Sequence, residues 1–149
     1  MNESIAIYAA VVATIALGWR IYEWFRQRPQ IKVKVMVLQK SGVPGVDFSK
    51  KFISVTAMNS GHYPTTISIA GLRMSNEKDL QHMPSVMSRQ LPYRLDVGES
   101  VQVEYDPEDL KEALRREGEG ISIEFAWFRD QADRLYKGKL TKPIRNILS

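Results

Sequence analysis

Histidine and cysteine, the side chains most often used for catalysis and metal binding, are scarce in this 149-residue sequence. His62 follows a glycine in a turn, and His82 lies in a polar connection. Neither has a second histidine or a carboxylate three or four positions away on a predicted helix, and a metal site needs several converging donors. The sequence contains no cysteine, which excludes a disulfide scaffold, a thiolate zinc site, an iron–sulfur cluster and a cysteine nucleophile.

A group of acidic residues lies between positions 108 and 119. Its members are Glu108, Asp109, Glu112, Glu117 and Glu119. Their positions fit charge compensation at a helix start and solvation, because the spacing and central glycine of an EF-hand are missing. The phosphate-loop, dinucleotide, zinc-protease and serine-hydrolase motifs are also missing. We therefore expect no enzyme activity, no cofactor and no metal, and we interpret the chain as a binding module.

The N-terminal segment is apolar enough to cross a membrane. Residues 5–19 read IAIYAAVVATIALGW without a charge, and apolar residues continue to Phe25. Twenty-one residues form a helix of about 32 Å, which spans a hydrocarbon core of roughly 30 Å. The expected membrane-interface residues are Trp19, Arg20, Tyr22, Trp24, Arg26 and Arg28. We predict a single transmembrane helix with a basic flank over residues 1–28.

Small residues recur every fourth position along this predicted helix, at Ala6, Ala10, Thr14 and Gly18. Strips of this kind let transmembrane helices approach closely. The alternative explanation is that alanine and glycine are simply common in bilayer helices. The strip favours self-association, or pairing with another membrane helix.

Two other interpretations of the N-terminus stay open. Residues 5–15 have the length of a signal-peptide core, and Ala16-Leu17-Gly18 resembles a cleavage site, but no basic residue precedes them. A buried core helix is disfavoured because the segment is apolar on every face. For an uncleaved helix, the flanking positive charge predicts an outside N-terminus and a cytoplasmic C-terminal domain.

Residues 29–149 predict one mainly β domain. Apolar side chains alternate in residues 31–38 and 52–58, β-branched residues fill 65–72, and alternation returns in 101–105. Two turns lie at residues 41–45 and 59–61. A further pair of strands is expected from Ile121, Ile123, Phe125 and Trp127, which form the most apolar strand, and from residues 135–140. Between residues 74 and 93 we expect a long irregular connection that contains at most one short strand.

One short helix is expected after the strand at residues 101–105. Asp106 is a typical N-cap, Pro107 suits the first helical position, and Gly118 is a stop signal. Short strands with regular turns and one short helix indicate an antiparallel β-sandwich of the immunoglobulin-like type.

Two runs add a resemblance to this prediction. Residues 55–61 (VTAMNSG) and 95–103 (LDVGESVQV) resemble the repeating pattern of bacterial immunoglobulin-like modules of the CARDB type. The resemblance covers residues 31–140 at the level of pattern. It implies an immunoglobulin-like sandwich and identifies no active site.

Together these features predict a non-catalytic, single-pass membrane protein that presents a cytoplasmic β-sandwich to another protein. The alternative is a secreted or periplasmic adhesion or ligand-binding module whose signal peptide is removed. The expected partners are an unidentified protein, the lipid bilayer and a second copy through the N-terminal helix. The net charge is +4, but its positive part is divided between the membrane flank and the last 21 residues, so nucleic acid is not expected.

Overall fold

The computed structural model describes residues 2–26, 28–39, 51–81 and 90–148. In chain order the elements are α1 (Asn2–Arg26), β1 (Ile31–Gln39), β2 (Lys51–Asn59), β3 (Thr65–Met74), β4 (Asp79–Gln81), β5 (Tyr93–Leu95), β6 (Ser100–Tyr105), α2 (Pro107–Glu117), β7 (Ile123–Asp130), β8 (Leu135–Lys139) and α3 (Lys142–Leu148). The chain is therefore mainly β after its N-terminal helix, as the alternating patterns predict.

The strands form two antiparallel sheets. One sheet has the order β1-β2-β6, and the other has the order β4-β3-β7-β8, with β5 also paired to β3. Apolar side chains from both sheets belong to one buried core, which includes Val55 and Val103 from the first sheet and Ile67 and Phe128 from the second. We call the part of the chain from β1 to α3 the two-sheet domain.

The two ends of this domain are built differently. At one end, which we call the tether end, lie the start of β1 and the connections 60–64, 96–99 and 131–134. At the opposite end, which we call the cap end, α2 contacts β2 and α3, and α3 contacts β1. Leu110 and Leu114 of α2 and Ile144 of α3 belong to the buried core, so the two helices close this end against water.

Helix α2 begins and ends where its sequence predicts. The Asp106 side chain accepts a hydrogen bond from the Glu108 backbone N–H at 3.0 Å, and Pro107 occupies the first turn. The helix ends before Gly118, whose φ of 129° is a backbone conformation that favours glycine.

The pairing of β7 with β3 contains a register shift. Met74 pairs with Ile123, and Arg73 pairs with Phe125, so Glu124 is an extra residue that shifts the register. As a result Ile123 lies in the core, whereas Phe125 and Trp127 do not belong to the core cluster. The apolar strand expected from Ile121, Ile123, Phe125 and Trp127 is therefore present from Ile123 onward, but alternation alone cannot reveal the bulge within it.

Two further differences concern residues at element ends. Asn59, expected in a turn, is the last residue of β2 and is fully buried. Helix α3 was not predicted, and its Ile144 is also fully buried. The predicted turn at residues 41–45 and the residue His82 lie outside the described part of the chain.

Candidate functional site

Helix α1 presents apolar side chains to its surroundings along its length. A 21-residue segment from Ser4 to Trp24 is long and apolar enough to cross a membrane, and none of it is buried. A signal sequence near the N-terminus would pass the same test of length and composition. Sequence and structure therefore agree that α1 has the properties of a membrane-spanning helix.

The predicted interface residues lie at the C-terminal end of α1 and just beyond it. The rings of Trp19 and Tyr22 lie 5.9 Å apart, and the guanidinium of Arg28 lies 4.3 Å from the centre of the Trp24 ring. Arg20 is exposed. The helix ends at Arg26, whose side chain lies outside the described residues. Aromatic rings beside arginine suit a membrane–water boundary, because each ring has an apolar body and the cation stays hydrated.

The predicted packing strip is also exposed. Ala6, Ala10, Thr14 and Gly18 all lie on the accessible surface of α1, and the Thr14 hydroxyl donates a hydrogen bond to the Ala10 carbonyl at 2.8 Å. A Cβ atom added at Gly18 would meet nothing within 4 Å. Nothing in the described part of the chain covers the strip, so its role in helix pairing stays a prediction.

The segment that follows α1 is fastened to the two-sheet domain. The Gln30 carbonyl accepts hydrogen bonds from the Ser60 backbone N–H at 2.8 Å and from the Ser60 hydroxyl at 3.1 Å. A Cβ atom at Gly61 would lie 2.5 Å from the Gln30 nitrogen and 3.2 Å from the Pro29 Cα. Glycine at position 61 is therefore what lets the segment pack so closely.

Asn59 organises the tether end. Its side-chain amide donates hydrogen bonds to the carbonyls of Tyr63 at 2.7 Å and Leu95 at 3.2 Å, and its side-chain oxygen accepts one from the Gly61 N–H at 3.0 Å. Its backbone carbonyl accepts a fourth, from the Gly98 N–H at 2.8 Å. Asn59 thus ties two connections together beside the attachment point of the Gln30 segment.

Asp130 organises the neighbouring β7–β8 turn. Its buried carboxylate accepts hydrogen bonds from the backbone N–H groups of Ala132 and Arg134, the Arg134 guanidinium and the Tyr136 hydroxyl, each at 2.9 Å. Burial alone would raise the pKa of Asp130, but the Arg134 N–H, the Tyr136 hydroxyl and the Arg134 charge outweigh it and lower the pKa. Burial and the Asp130 charge raise the pKa of Tyr136 to about 12. These partners belong to the turn and to the start of β8, so the carboxylate stabilises the turn.

The outer face of the larger sheet carries aromatic and charged side chains. The Trp127 ring packs over Gly71, where a Cβ atom would lie 2.6 Å from it, and its N–H donates to Asp79 at 3.1 Å. Asp79 also pairs with the Arg73 guanidinium at 2.6 Å. Lys137 lies 4.7 Å from the centre of the Phe125 ring. The Trp127 ring on this face is thus only 3% exposed.

A groove lies at the cap end, between α2, the connection 118–122 and α3. It has a volume of about 630 Å³, and its apolar lining includes Leu114, Ile121, Leu140 and Leu148, with Arg145 at the side. A volume of this size falls in the range of ligand pockets. Arg145 and Leu148 of α3 line the groove. Because no local sequence pattern predicts α3, the sequence alone does not locate the groove.

Among the described residues, the candidate chemistry-bearing side chains do not come together. His62 is exposed at the tether end, whereas the acidic residues of α2 lie at the cap end. Within residues 2–26, 28–39, 51–81 and 90–148, no group of three histidine and carboxylate side chains could hold a metal ion. The features that sequence patterns missed are Asn59 and Gly61. An Asn-Ser-Gly run is a turn signal, and only the tertiary structure shows that its first residue is a buried anchor.

No family model matches the chain, and no curated protein matches it. Among solved structures, the chain is similar to the X-ray structure of Northeast Structural Genomics Consortium target SoR45. The two share 7% sequence identity over 78% of this chain and 84% of that chain, with a TM-score of 0.31. A likeness this weak says nothing about what the chain does.

Proposed function

We propose that this protein is a non-catalytic adaptor, anchored in a membrane by α1, that presents its two-sheet domain to another protein. The observation that carries the proposal is the apolar, uncovered segment from Ser4 to Trp24. Only four residues separate α1 from β1, and Gln30 among them is hydrogen-bonded to Ser60. A domain attached so closely stays at the membrane surface.

The strand order supports an immunoglobulin-like domain as part of this proposal. In such sandwiches the first, second and fifth strands lie in one sheet, and the third, sixth and seventh lie in the other. Here β1, β2 and β6 share one sheet and β3, β7 and β8 share the second, if β4 and β5 are counted as additions beside β3. In chain order, helix α2 follows β6 of the first sheet and precedes β7 of the second.

The proposed likeness to CARDB-type modules also has a structural counterpart. The two runs on which it rests, residues 55–61 and 95–103, meet at the tether end. There the Gly98 N–H donates to the Asn59 carbonyl at 2.8 Å, and the Asn59 N–H donates to the Glu99 carbonyl at 2.9 Å.

The cap-end groove is the surface that we propose for the partner protein. Its lining is mainly apolar, and charged side chains of both signs lie around it, namely Lys111, Arg115, Arg145, Glu119 and Glu124. We propose that it takes an apolar segment of the partner. An exposed apolar groove of this kind is a common feature of protein-binding surfaces.

Two reporters at the C-terminus test the anchor and its orientation. We expect a fluorescent protein fused after residue 149 to be fluorescent in the cytoplasm, and alkaline phosphatase fused there to be inactive. The chain should also stay in the membrane fraction after carbonate extraction. Active phosphatase, together with a mature N-terminus near Trp19, would contradict the anchor and support the secreted or periplasmic alternative.

Copurification with two matched variants tests the groove. Leu148→Arg places a charge in the groove, whereas Ile69→Arg places it on the outer face of the larger sheet, where Ile69 is 38% exposed. We expect a protein that copurifies with the unchanged chain to be lost with Leu148→Arg and retained with Ile69→Arg. Equal retention by both variants would exclude the groove.

A further inference from the structure

Two apolar side chains are exposed at the tips of neighbouring connections at the tether end. Tyr63 is 44% exposed and Val97 is 52% exposed. Val97 occupies a tight turn, closed by the hydrogen bond from the Glu99 N–H to the Asp96 carbonyl at 3.1 Å and continued by Gly98 at φ 80°. Turn tips usually carry glycine, proline, asparagine, aspartate or serine, so an exposed β-branched residue here is unusual.

Asn59 holds these two tips side by side. Its side chain donates to the Tyr63 carbonyl, and its backbone carbonyl accepts from the N–H of Gly98, the residue after Val97. Both bonds involve backbone atoms of the tips, so the two side chains are free to face outward. Tyr63 and Val97 are therefore two exposed side chains on connections that both bind Asn59, and we call them the tip pair.

The tip pair lies at the end of the domain to which α1 is attached. Ile31, the first residue of β1, pairs with Asn59, which anchors both tips. Five residue steps separate Arg26 from Ile31, so the start of β1 lies within about 18 Å of the end of α1. The headgroup layer on each face of a bilayer extends roughly 5–8 Å beyond the hydrocarbon core. The tip pair is thus within reach of this layer.

We propose that the tether end docks on the membrane, with Tyr63 and Val97 inserted at the boundary between lipid headgroups and acyl chains. This inference rests on the proposed anchor. Tyrosine suits that boundary because its ring is apolar and its hydroxyl is wet. Two neighbouring cations are paired, Arg94 with Asp96 at 3.1 Å and Arg134 with Asp130 at 2.9 Å, and the acidic residues Asp96 and Glu99 flank Val97. We therefore expect docking on zwitterionic lipid, because anionic headgroups would repel these carboxylates.

Because the sequence has no cysteine, single labels test this placement in the full chain. Val97→Cys and Glu119→Cys each receive an environment-sensitive fluorophore, and the chains are reconstituted into phosphatidylcholine vesicles. Glu119 is exposed between α2 and β7, at the cap end, and serves as the matched control. We expect lipids brominated near the glycerol backbone to quench the label at position 97 and to leave the label at position 119 unquenched.

A second variant keeps the test independent of the label's own affinity for lipid. Tyr63→Ser removes the ring but retains the backbone carbonyl that Asn59 binds, so the tether end stays folded. In the Val97→Cys background it should reduce quenching at position 97.

Each outcome has a distinct meaning. Failure of the labelled chain to float with the vesicles overturns the anchor itself. A floating chain with an unquenched label in water at position 97 overturns the docking alone. A label at position 97 that reports an apolar environment without bromine quenching indicates a protein contact and also overturns the lipid docking.

Discussion

Replacing Asn59 by alanine removes the side chain that joins the connections of the tether end. It takes away three hydrogen bonds, to the Tyr63 carbonyl, the Leu95 carbonyl and the Gly61 N–H, in a position that is fully buried. Each contributes about 1 kcal/mol net, so we expect the free energy of unfolding to fall by about 3 kcal/mol. For a domain of this size that corresponds to roughly 12 °C in the melting temperature.

Trp127 is a suitable reporter of this unfolding because it is only 3% exposed in the folded domain. Replacing Trp19 and Trp24 by phenylalanine leaves it as the single tryptophan of the full chain, which is studied in detergent micelles. Thermal and urea unfolding are then followed by Trp127 fluorescence. Hydrogen exchange gives a second measurement, since the Gly61 N–H loses its acceptor and should exchange faster.

Ser60→Ala is the matched control for this prediction. Ser60 is the next residue, and its hydroxyl makes one exposed hydrogen bond to Gln30, which its backbone N–H also contacts. We expect this variant to lose at most about 0.5 kcal/mol. If Asn59→Ala and Ser60→Ala have equal stability, or if exchange at Gly61 is unchanged, Asn59 does not hold the tether end together.

Three further predictions concern other parts of the chain. The lowered pKa of Asp130 means that its stabilising contribution is present above about pH 4 and is lost as the pH falls through the folded-state value. Asp130→Asn should lower the free energy of unfolding by roughly 2 kcal/mol at pH 7 and flatten its dependence on acid pH. An unchanged pH profile of the unfolding free energy would show that Asp130 does not cause this dependence. Gly71→Ala should lower the free energy of unfolding by roughly 1–3 kcal/mol and shift Trp127 fluorescence, because the new Cβ meets the indole ring at 2.6 Å. An unshifted emission spectrum would show that the ring does not pack over Gly71. Replacing Gly18 and Ala10 together by isoleucine should abolish self-association in a membrane two-hybrid assay, and an undiminished signal would exclude the small-residue strip as the contact.

Much of this fold follows from local patterns. An uncharged apolar run defines α1, because a helix satisfies its backbone internally and leaves only side chains to face lipid. Alternation in β1 and β2 correctly assigns Val35, Val55 and Ala57 to the core. The bounds of α2 are equally local, because the Asp106 cap and the Gly118 stop act on the backbone groups of adjacent turns.

Other features depend on partners that are distant in the chain. The inward side of β7 is set by its pairing with β3, where the extra residue Glu124 reverses which side chains face the core. Helix α3 is too short to be stable alone and forms because Ile144 is buried at the cap end.

The sequence by itself thus determined a membrane-length helix, a β-rich domain and the position of α2, because caps, alternation and apolar runs act through neighbouring residues. Only the tertiary structure decided the β7 register, the burial of Asn59 and the cap-end groove, because each depends on contacts between segments that are far apart in the chain. Asn59 differs from an ordinary turn residue for the same reason. Its side-chain hydrogen bonds to Gly61 and Tyr63 are local, but the bond to the Leu95 carbonyl exists only once β5 has come to lie beside the end of β2.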